Sequence, residues 1–378
     1  MAQDKDLKTP NVPPLRFPGF TDKWKESTIG NVVKIGNGRD YKHLGNGSIP
    51  VFGTGGYMTS VDDYLYDGET VFIGRKGSID KPFYFSGKFW TVDTLFYTYD
   101  FNGVIPKFLY SIFQRINWKK YNEASGVPSL SKATIEKIKF KYPLSPEQDK
   151  ISRLLSLIDE RIATQNKIIE DLKKLKSAIS AQLYEGHYIT DNSNGWKIVR
   201  LGDITENFSI RNKNSGSYPM YSVTNTSGFS PQHEVFEGKE IKDEDISIYK
   251  IIHKGEFAYN PARINVGSIG RYDGEAPCMI SSLYVCFRPT AEVDSDWLLY
   301  YLQSAKKIYQ YGIFGEGGVR IYLFYPNFSR IEALLPPLKV QKEIASILKS
   351  FNRKIKLDEL LLSKYQEQKK FLLSNMFI

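Results

Sequence analysis

Ser145 to Gly186 reads SPEQDKISRLLSLIDERIATQNKIIEDLKKLKSAISAQLYEG, and this stretch decides the architecture. Apolar residues recur at Ile151, Leu155, Ile158, Ile162, Ile169, Leu172, Ile179 and Leu183 in steps of three, four or seven. That is the narrow seam of a coiled coil. Ser145 is placed as the N-cap, Pro146 at the first helical position and Gln148 as the far member of a capping box. Gly186 is placed as the stop. At about 1.5 Å per residue the helix would span about 60 Å, so it needs a partner along its length.

The partner is Pro336 to Phe377. A shift of 193 residues lays Pro143 on Pro336, Gln148 on Gln341, Ile151 on Ile344, Leu155 on Leu348 and Ile162 on Ile355. Both seams are interrupted at matched polar positions, Gln165 and Lys176 in the first, Asp358 and Lys369 in the second. Buried polar seam residues specify register. An antiparallel register that sets Lys176 against Asp358 and Gln165 against Lys369 is therefore expected. WKESTIGNV from Trp24 likewise matches WKIVRLGDI from Trp196 at a shift of 172. The chain is a tandem duplication: globular region, long helix, globular region, long helix. The second globular region carries 21 more residues than the first.

Further landmarks repeat in order. Gly77-Ser78-Ile79 answers to Gly267-Ser268-Ile269, TVDTLFYTY from Thr91 to ISSLYVCF from Ile280, and FLYSIFQ at Phe108 to WLLYYLQ at Trp297. Gly126-Val127 answers to Gly318-Val319. Short apolar runs with glycine punctuation predict many short strands. Each region is read as a twisted mixed sheet with a few helices, giving an α+β fold. The expected divisions are residues 1–143, the helix 144–186, residues 187–335 and the helix 336–378. Residues 1–20 are expected to form a loose arm, and Asp191 to Gly195 the boundary between halves.

The 378 residues hold 51 Lys and Arg against 42 Asp and Glu, a net charge of +9. That surplus favours a polyanionic partner such as DNA. Two cysteines, Cys278 and Cys286, point to a reducing compartment without a disulfide framework. The beginning of the chain has no apolar signal region and no run is long enough to cross a membrane, so a cytoplasmic location is expected.

Catalytic constellations are hard to find. His43, His187, His233 and His253 lack metal-ligand spacing, and there is no phosphate-loop motif. Asn260-Pro261-Ala262 lacks the second proline and the aromatic of the turn that holds a target base in amino-methyltransferases. Phe52-Gly53-Thr54-Gly55 and Phe314-Gly315-Glu316-Gly317 are isolated glycine-rich turns. No catalytic residue, cofactor or metal is assigned. Polar loops suit DNA better. In the first region Arg75, Lys76 and Ser78 sit on a glycine-flanked turn, with Lys42, Thr54 and Tyr57 extending the surface. In the second, Asn260, Arg263, Asn265, Ser268 and Arg271 hold the equivalent place, extended by Tyr221, Thr224, Asn225 and Arg320. Arg bonds guanine bidentately, Asn bonds adenine, and glycines let backbone N–H groups approach phosphates.

The order of these parts, IGRKGSI with the later TVDTLFY, the P-x-x-x-x-Q-x-x-I entry to each long helix and the opening VPPLRFPGF resemble the DNA-specificity subunit of a type I restriction–modification system. The resemblance covers nearly the whole chain. It implies two target-recognition domains, each reading one half of a split sequence in double-stranded DNA, and two long helices packed antiparallel as a spacer. It implies partners: two DNA adenine methyltransferase subunits, which carry the S-adenosylmethionine site, and endonuclease/translocase subunits. The chain departs from the pattern at its second helix entry, where Leu338 stands in place of the Ser145 cap. Alternatives are the specificity subunit of a related single-enzyme, type II-like system, and, disfavoured by the missing motifs, a self-contained methyltransferase.

Overall fold

A computed structural model describes residues 12–185, 195–235, 245–318 and 320–378. It divides into two compact units, Met1–Lys167 with Leu360–Ile378, and Ile168–Glu359. Each unit holds a globular domain and a part of each long helix. The expected helix stop at Gly186, most of the Asp191–Gly195 boundary and Val319 lie outside the described residues.

In the first unit Lys25–Thr28 pairs antiparallel with Lys139–Tyr142, Lys25 facing Tyr142. A six-stranded sheet follows, in the order Lys34–Asn37, Leu95–Tyr99, Tyr66–Gly74, Phe83–Thr91, Asn46–Gly53, Gly56–Val61. Its pairings are antiparallel except that Val51 and Phe52 run parallel to Trp90 and Thr91. Tyr66–Gly74 ends in five buried residues, as a central strand covered on both faces must. Helix Pro106–Arg115 buries Phe108, Leu109, Ile112 and Phe113 in a core with Trp24, Ile73 and Phe96. Ile151, Leu155 and Ile158 of the first long helix enter this core, as do Leu372 and Met376 of the second.

The second unit repeats the plan. Lys197–Arg200 pairs with Glu332–Leu335, Lys197 facing Leu335, so the shifts of 172 and 193 carry one register onto the other. A four-stranded sheet runs Thr205–Phe208, Val285–Pro289, Phe257–Tyr259, Ile269–Arg271. Its first three strands correspond to the first three of the other sheet. Two further two-stranded antiparallel sheets are the hairpin Tyr221–Thr224 with Gly228–Pro231 and the pair Lys250–Ile252 with Cys278–Ile280. Helices Ser295–Leu302 and Ala305–Phe314 close the core around Trp297, Leu298 and Tyr311, joined by Tyr184, Ile344 and Leu348 of the long helices. Cys278 and Cys286 are free and buried, and burial pushes both thiols up to about 12. Lys307 is buried as well. Its ammonium donates to Gln310 Oε1 at 2.7 Å and to the Glu332 carbonyl, and sits 4.8 Å from the Tyr301 ring centre. Burial pushes its pKa down to about 8.

The long helices are Ser145–Glu185 and Leu338–Asn375. They pair antiparallel within each unit: early residues of the first meet late residues of the second around the first core, and the reverse holds around the second. The expected cap is corrected. The amides of Glu147 and Gln148 donate to the Leu144 carbonyl, and Gln341 N donates to the Pro337 carbonyl, so Ser145 and Leu338 are equivalent first helical residues and neither caps. The difference between the two helix entries therefore carries no structural weight.

Of the expected arm, residues 1–11 lie outside the described residues, and the rest is anchored. Arg16 clasps the buried Glu147 carboxylate through Nε at 2.7 Å and Nη2 at 2.8 Å, and Leu15 N donates to the Asn375 carbonyl at 2.9 Å. A buried bidentate pair in the first turn of the helix also suits the positive end of its dipole.

The matched polar positions share their burial. Gln165 and Asp358 are buried, Lys176 and Lys369 half-buried. Two of these positions form ion pairs: Lys369 Nζ meets Asp159 Oδ1 at 2.5 Å, and Asp358 takes Lys354 of its own helix at 2.9 Å. Between helices in the second unit the pair is Lys173 with Glu359, at 2.7 Å.

Candidate DNA-recognition surfaces

In the first unit four loops converge. The loop after Tyr66–Gly74 is held by its backbone: Arg75 N and Lys76 N donate to the Thr94 carbonyl, Gly77 N to Pro128 O, and Leu130 N to Arg75 O. Gly77 has φ +85°, a conformation that costs an L side chain roughly 1–2 kcal/mol, and the position of its absent Cβ is 3.6 Å from Thr54 Oγ1. The turn after Asn46–Gly53 thus rests against the glycine loop. Arg75 is half-exposed, with Nη1 donating to the Asp93 carbonyl at 3.2 Å, while Lys76 and Tyr57 are exposed. The Tyr57 hydroxyl shares a hydrogen bond with Ser60 Oγ. Ser78 is half-buried, and Lys42 is exposed on a separate turn.

The second unit builds the same corner. Gly267 has φ +94°, and its Cβ position lies 3.8 Å from Asn225, at the tip of the hairpin Tyr221–Thr224/Gly228–Pro231. Thr224 Oγ1 locks that tip by accepting from Ser227 N and donating to Gly228 O. Leu323 N donates to Pro261 O, the counterpart of Leu130 N to Arg75 O, and the shift of 193 relates the two leucines. Asn260 Oδ1 accepts from Ala262 N at 3.0 Å. Arg263 is exposed before the short turn Ile264–Val266, with Asn265 half-buried in it. Arg320 is exposed on the loop closed by the paired backbones of Glu316 and Tyr322.

Three expected contact residues are spent inside this domain. Ser268 is buried and its hydroxyl donates to Val223 O at 2.6 Å, fastening the hairpin to the glycine loop. Arg271 forms ion pairs with Asp273 at 2.6 Å and Asp296 at 2.7 Å, so its charge is already compensated. Tyr221 packs its ring on Tyr272 at 5.4 Å. Sequence reasoning also missed neighbours. Arg39 is exposed, and its backbone is held by Thr91 and the Trp90 indole. Val127 and Phe324 are exposed on the closing loops. Of these, Val127 had a signal in the repeated Gly-Val pair.

Each corner offers exposed cations beside a rigid, glycine-shaped backbone, which is what phosphate positioning and base-edge contact require. Among the described residues no cluster of His, Cys, Asp and Glu could hold a metal, and no helix is long and apolar enough to cross a membrane.

The family described as "Type I restriction modification DNA specificity domain" matches residues 21–174 and again 193–364. The chain belongs to this family. The two matched stretches are the two halves of the duplication. A protein named as a candidate type I restriction enzyme specificity subunit in Haemophilus influenzae is 26% identical over 326 residues, 81% of this chain and 80% of its own length. The MjaVIII specificity subunit of Methanocaldococcus jannaschii is 23% identical over 78% of this chain and 72% of its own. Among solved structures, the S subunit of a type I system from M. genitalium superposes with a TM-score of 0.65 at 17% identity, covering 97% of this chain and 99% of the other. A chain from a study of complex assembly and conformational transition of the type I system gives 0.53 at 14% identity, with the same coverage. At those identities the superpositions speak for the fold. The family is that of specificity subunits, so this chain is a non-catalytic DNA-recognition component.

Proposed function

We propose that each domain reads one half of a two-part sequence in double-stranded DNA, through its hairpin tip and its left-handed glycine loop. The observation that carries the reading is the repetition of that corner. Gly77 against Thr54 and Gly267 against Asn225 share backbone geometry, while the side chains around them differ. A common frame with divergent side chains suits two different half-sites. In the first domain the reading residues are Arg75 and Lys76, with Thr54, Tyr57 and Ser78 beside them and Lys42 on a separate turn. In the second they are Asn260, Arg263, Asn265 and Arg320, with Thr224 and Asn225 shaping the tip. The unbroken helices, 41 and 38 residues long, act as the spacer that fixes the gap between half-sites.

The chain works in the cytoplasm with two adenine methyltransferase subunits and with endonuclease/translocase subunits, which bring the chemistry and the S-adenosylmethionine. Family membership supports these partners, as does the fold shared with a chain studied in type I complex assembly. The test is methylation mapping of host DNA with and without this chain. A split adenine-methylated sequence that depends on the chain is expected. Altering Arg75 and Lys76 should change one half of it, and altering Arg263 the other. A continuous target, or one indifferent to both loops, would overturn the reading.

A further inference from the structure

Two clefts occupy matched places, one in each unit. In the first unit a cleft of about 790 Å³ is walled by Asp159, Ile162, Gln366 and Lys369 of the long helices, with Tyr110 and Gln114. In the second a cleft of about 500 Å³ is walled by Asn352, Ile355, Lys173 and Lys176, with Tyr300 and Gln303. The shift of 193 relates Asp159 to Asn352, Ile162 to Ile355, Lys173 to Gln366 and Lys176 to Lys369.

The copies keep the cation and differ in the anion. Lys369 has the Asp159 carboxylate at 2.5 Å. Lys176, at the equivalent position, has Asn352 in its cleft where that carboxylate would be. Among the described residues Lys176 makes no ion pair, and burial lowers its pKa. Lys173 in the same cleft is already committed to Glu359. A half-buried ammonium without a counterion is unfavourable. The cleft also reaches the start of helix Ala305–Phe314, where Ser304 is the N-cap and Lys306 is exposed. A helix N-terminus adds partial positive charge and backbone donors.

We propose that the cleft of the second unit binds a small oxyanion, a carboxylate or phosphate group, in the place that Asp159 fills in the first. Its size falls in the range of small-ligand sites, roughly 300–1,000 Å³. A bound anion would link Lys176 and Asn352 of the two long helices, as the Asp159 carboxylate links the same helices through Lys369 in the first unit, with the start of Ala305–Phe314 beside it.

The experiment is a set of thermal melts and calorimetric titrations of the full chain with phosphate and with acetate, against sodium chloride at matched ionic strength. The wild-type midpoint should rise with phosphate, with acetate or with both; the active one identifies the head group. Asn352→Asp should raise the midpoint by about 2–4 °C without added anion and remove the further rise. Lys176→Met should lose the response. Asp159→Asn should lower the midpoint and create a second anion-responsive cleft. A wild-type response no greater than that to chloride would overturn the proposal. So would an Asn352→Asp variant that still responds like wild type, since the anion would then bind elsewhere.

Discussion

Gln148 and Gln341, 193 residues apart, make the same three hydrogen bonds. Gln148 Oε1 accepts from Ile105 N at 2.9 Å, and its Nε2 donates to Gly103 O and Pro143 O at 2.9 and 2.8 Å. Gln341 Oε1 accepts from Asp294 N at 2.7 Å, and its Nε2 donates to Glu292 O and Pro336 O at 3.2 and 2.9 Å. Both side chains are buried. Each pins a domain to the first turn of its long helix by satisfying three backbone groups at once.

Truncating either glutamine leaves a buried N–H and two carbonyls without that partner. Gln148→Leu should cost about 2–4 kcal/mol, because each orphaned buried group costs about 1–3 kcal/mol and water recovers part of the loss. Gln341→Leu should cost as much, in the other domain. Ser145→Ala should change stability by less than about 0.5 kcal/mol, since Ser145 is not the cap. Urea unfolding followed by hydrogen exchange in each domain tests this. A Ser145→Ala loss equal to that of Gln148→Leu would restore the capping role and refute the assignment.

Lys307 sets a pH dependence. Its folded pKa is about 8, below the unfolded value of about 10.4. Below pH 8 both states hold the proton and the burial penalty is felt in full. Between about 8 and 10.4 the unfolded chain binds a proton that the folded chain has released, so stability rises with pH. From pH 7 to 9.5 the second domain should gain on the order of 1–2 kcal/mol from this group. Lys307→Met should remove that rise. Parallel melting curves for the two proteins over this range would refute it.

The duplication, the helices and their seam were legible because they are written in local periodicity and in fixed shifts. The helix start was misplaced by one residue because Gln148, which fits a capping box, finds better partners in Gly103 and Ile105 of the folded domain. The corner was legible in part. Gly77 and Gly267 stand in plain repeats, but nothing local says that Thr54 or Asn225 will lie against them. Ser268 and Arg271 have internal partners that the local sequence does not announce, for a related reason. Ser268 precedes and Arg271 ends the three-residue strand Ile269–Arg271, and their use is decided by Val223 and Asp296, distant in the chain. Charge and turn chemistry locate a loop; the face that each side chain takes depends on tertiary partners.

Gly77→Ala and Gly267→Ala should each loosen one corner. A β-carbon at these φ values costs roughly 1–2 kcal/mol, which the loop relieves by shifting off the hairpin tip. Neither Cβ position meets an atom closer than 3.6 Å, so strain and not collision is the cause. Each variant should weaken recognition of one half-site and leave the other intact. Equal weakening at both half-sites, read by binding to duplexes mutated in either half, would rule this out.

The exposed cations should separate by kind. Arg75 is steadied by the Asp93 carbonyl beside a fixed backbone, as a base-reading guanidinium needs to be. Arg75→Ala should therefore cost about 1–3 kcal/mol on the cognate half-site and relax discrimination at one or two positions. Lys76 is exposed and carries a flexible point charge, which suits a phosphate. Lys76→Ala should weaken binding to all sequences alike and reduce the slope of log affinity against log salt by about one. Arg263→Ala should act on the other half-site. Arg271→Ala serves as the contrast: it leaves Asp273 without its ion pair and Asp296 with Lys349 alone, and should lower the stability of the second domain while leaving the base preference of the folded protein unchanged. Affinities of the assembled methyltransferase complex at several salt concentrations, on duplexes varied base by base, decide the matter. If Arg75→Ala and Lys76→Ala give the same sequence-independent loss, the first domain reads its bases through other residues and this loop only grips the backbone.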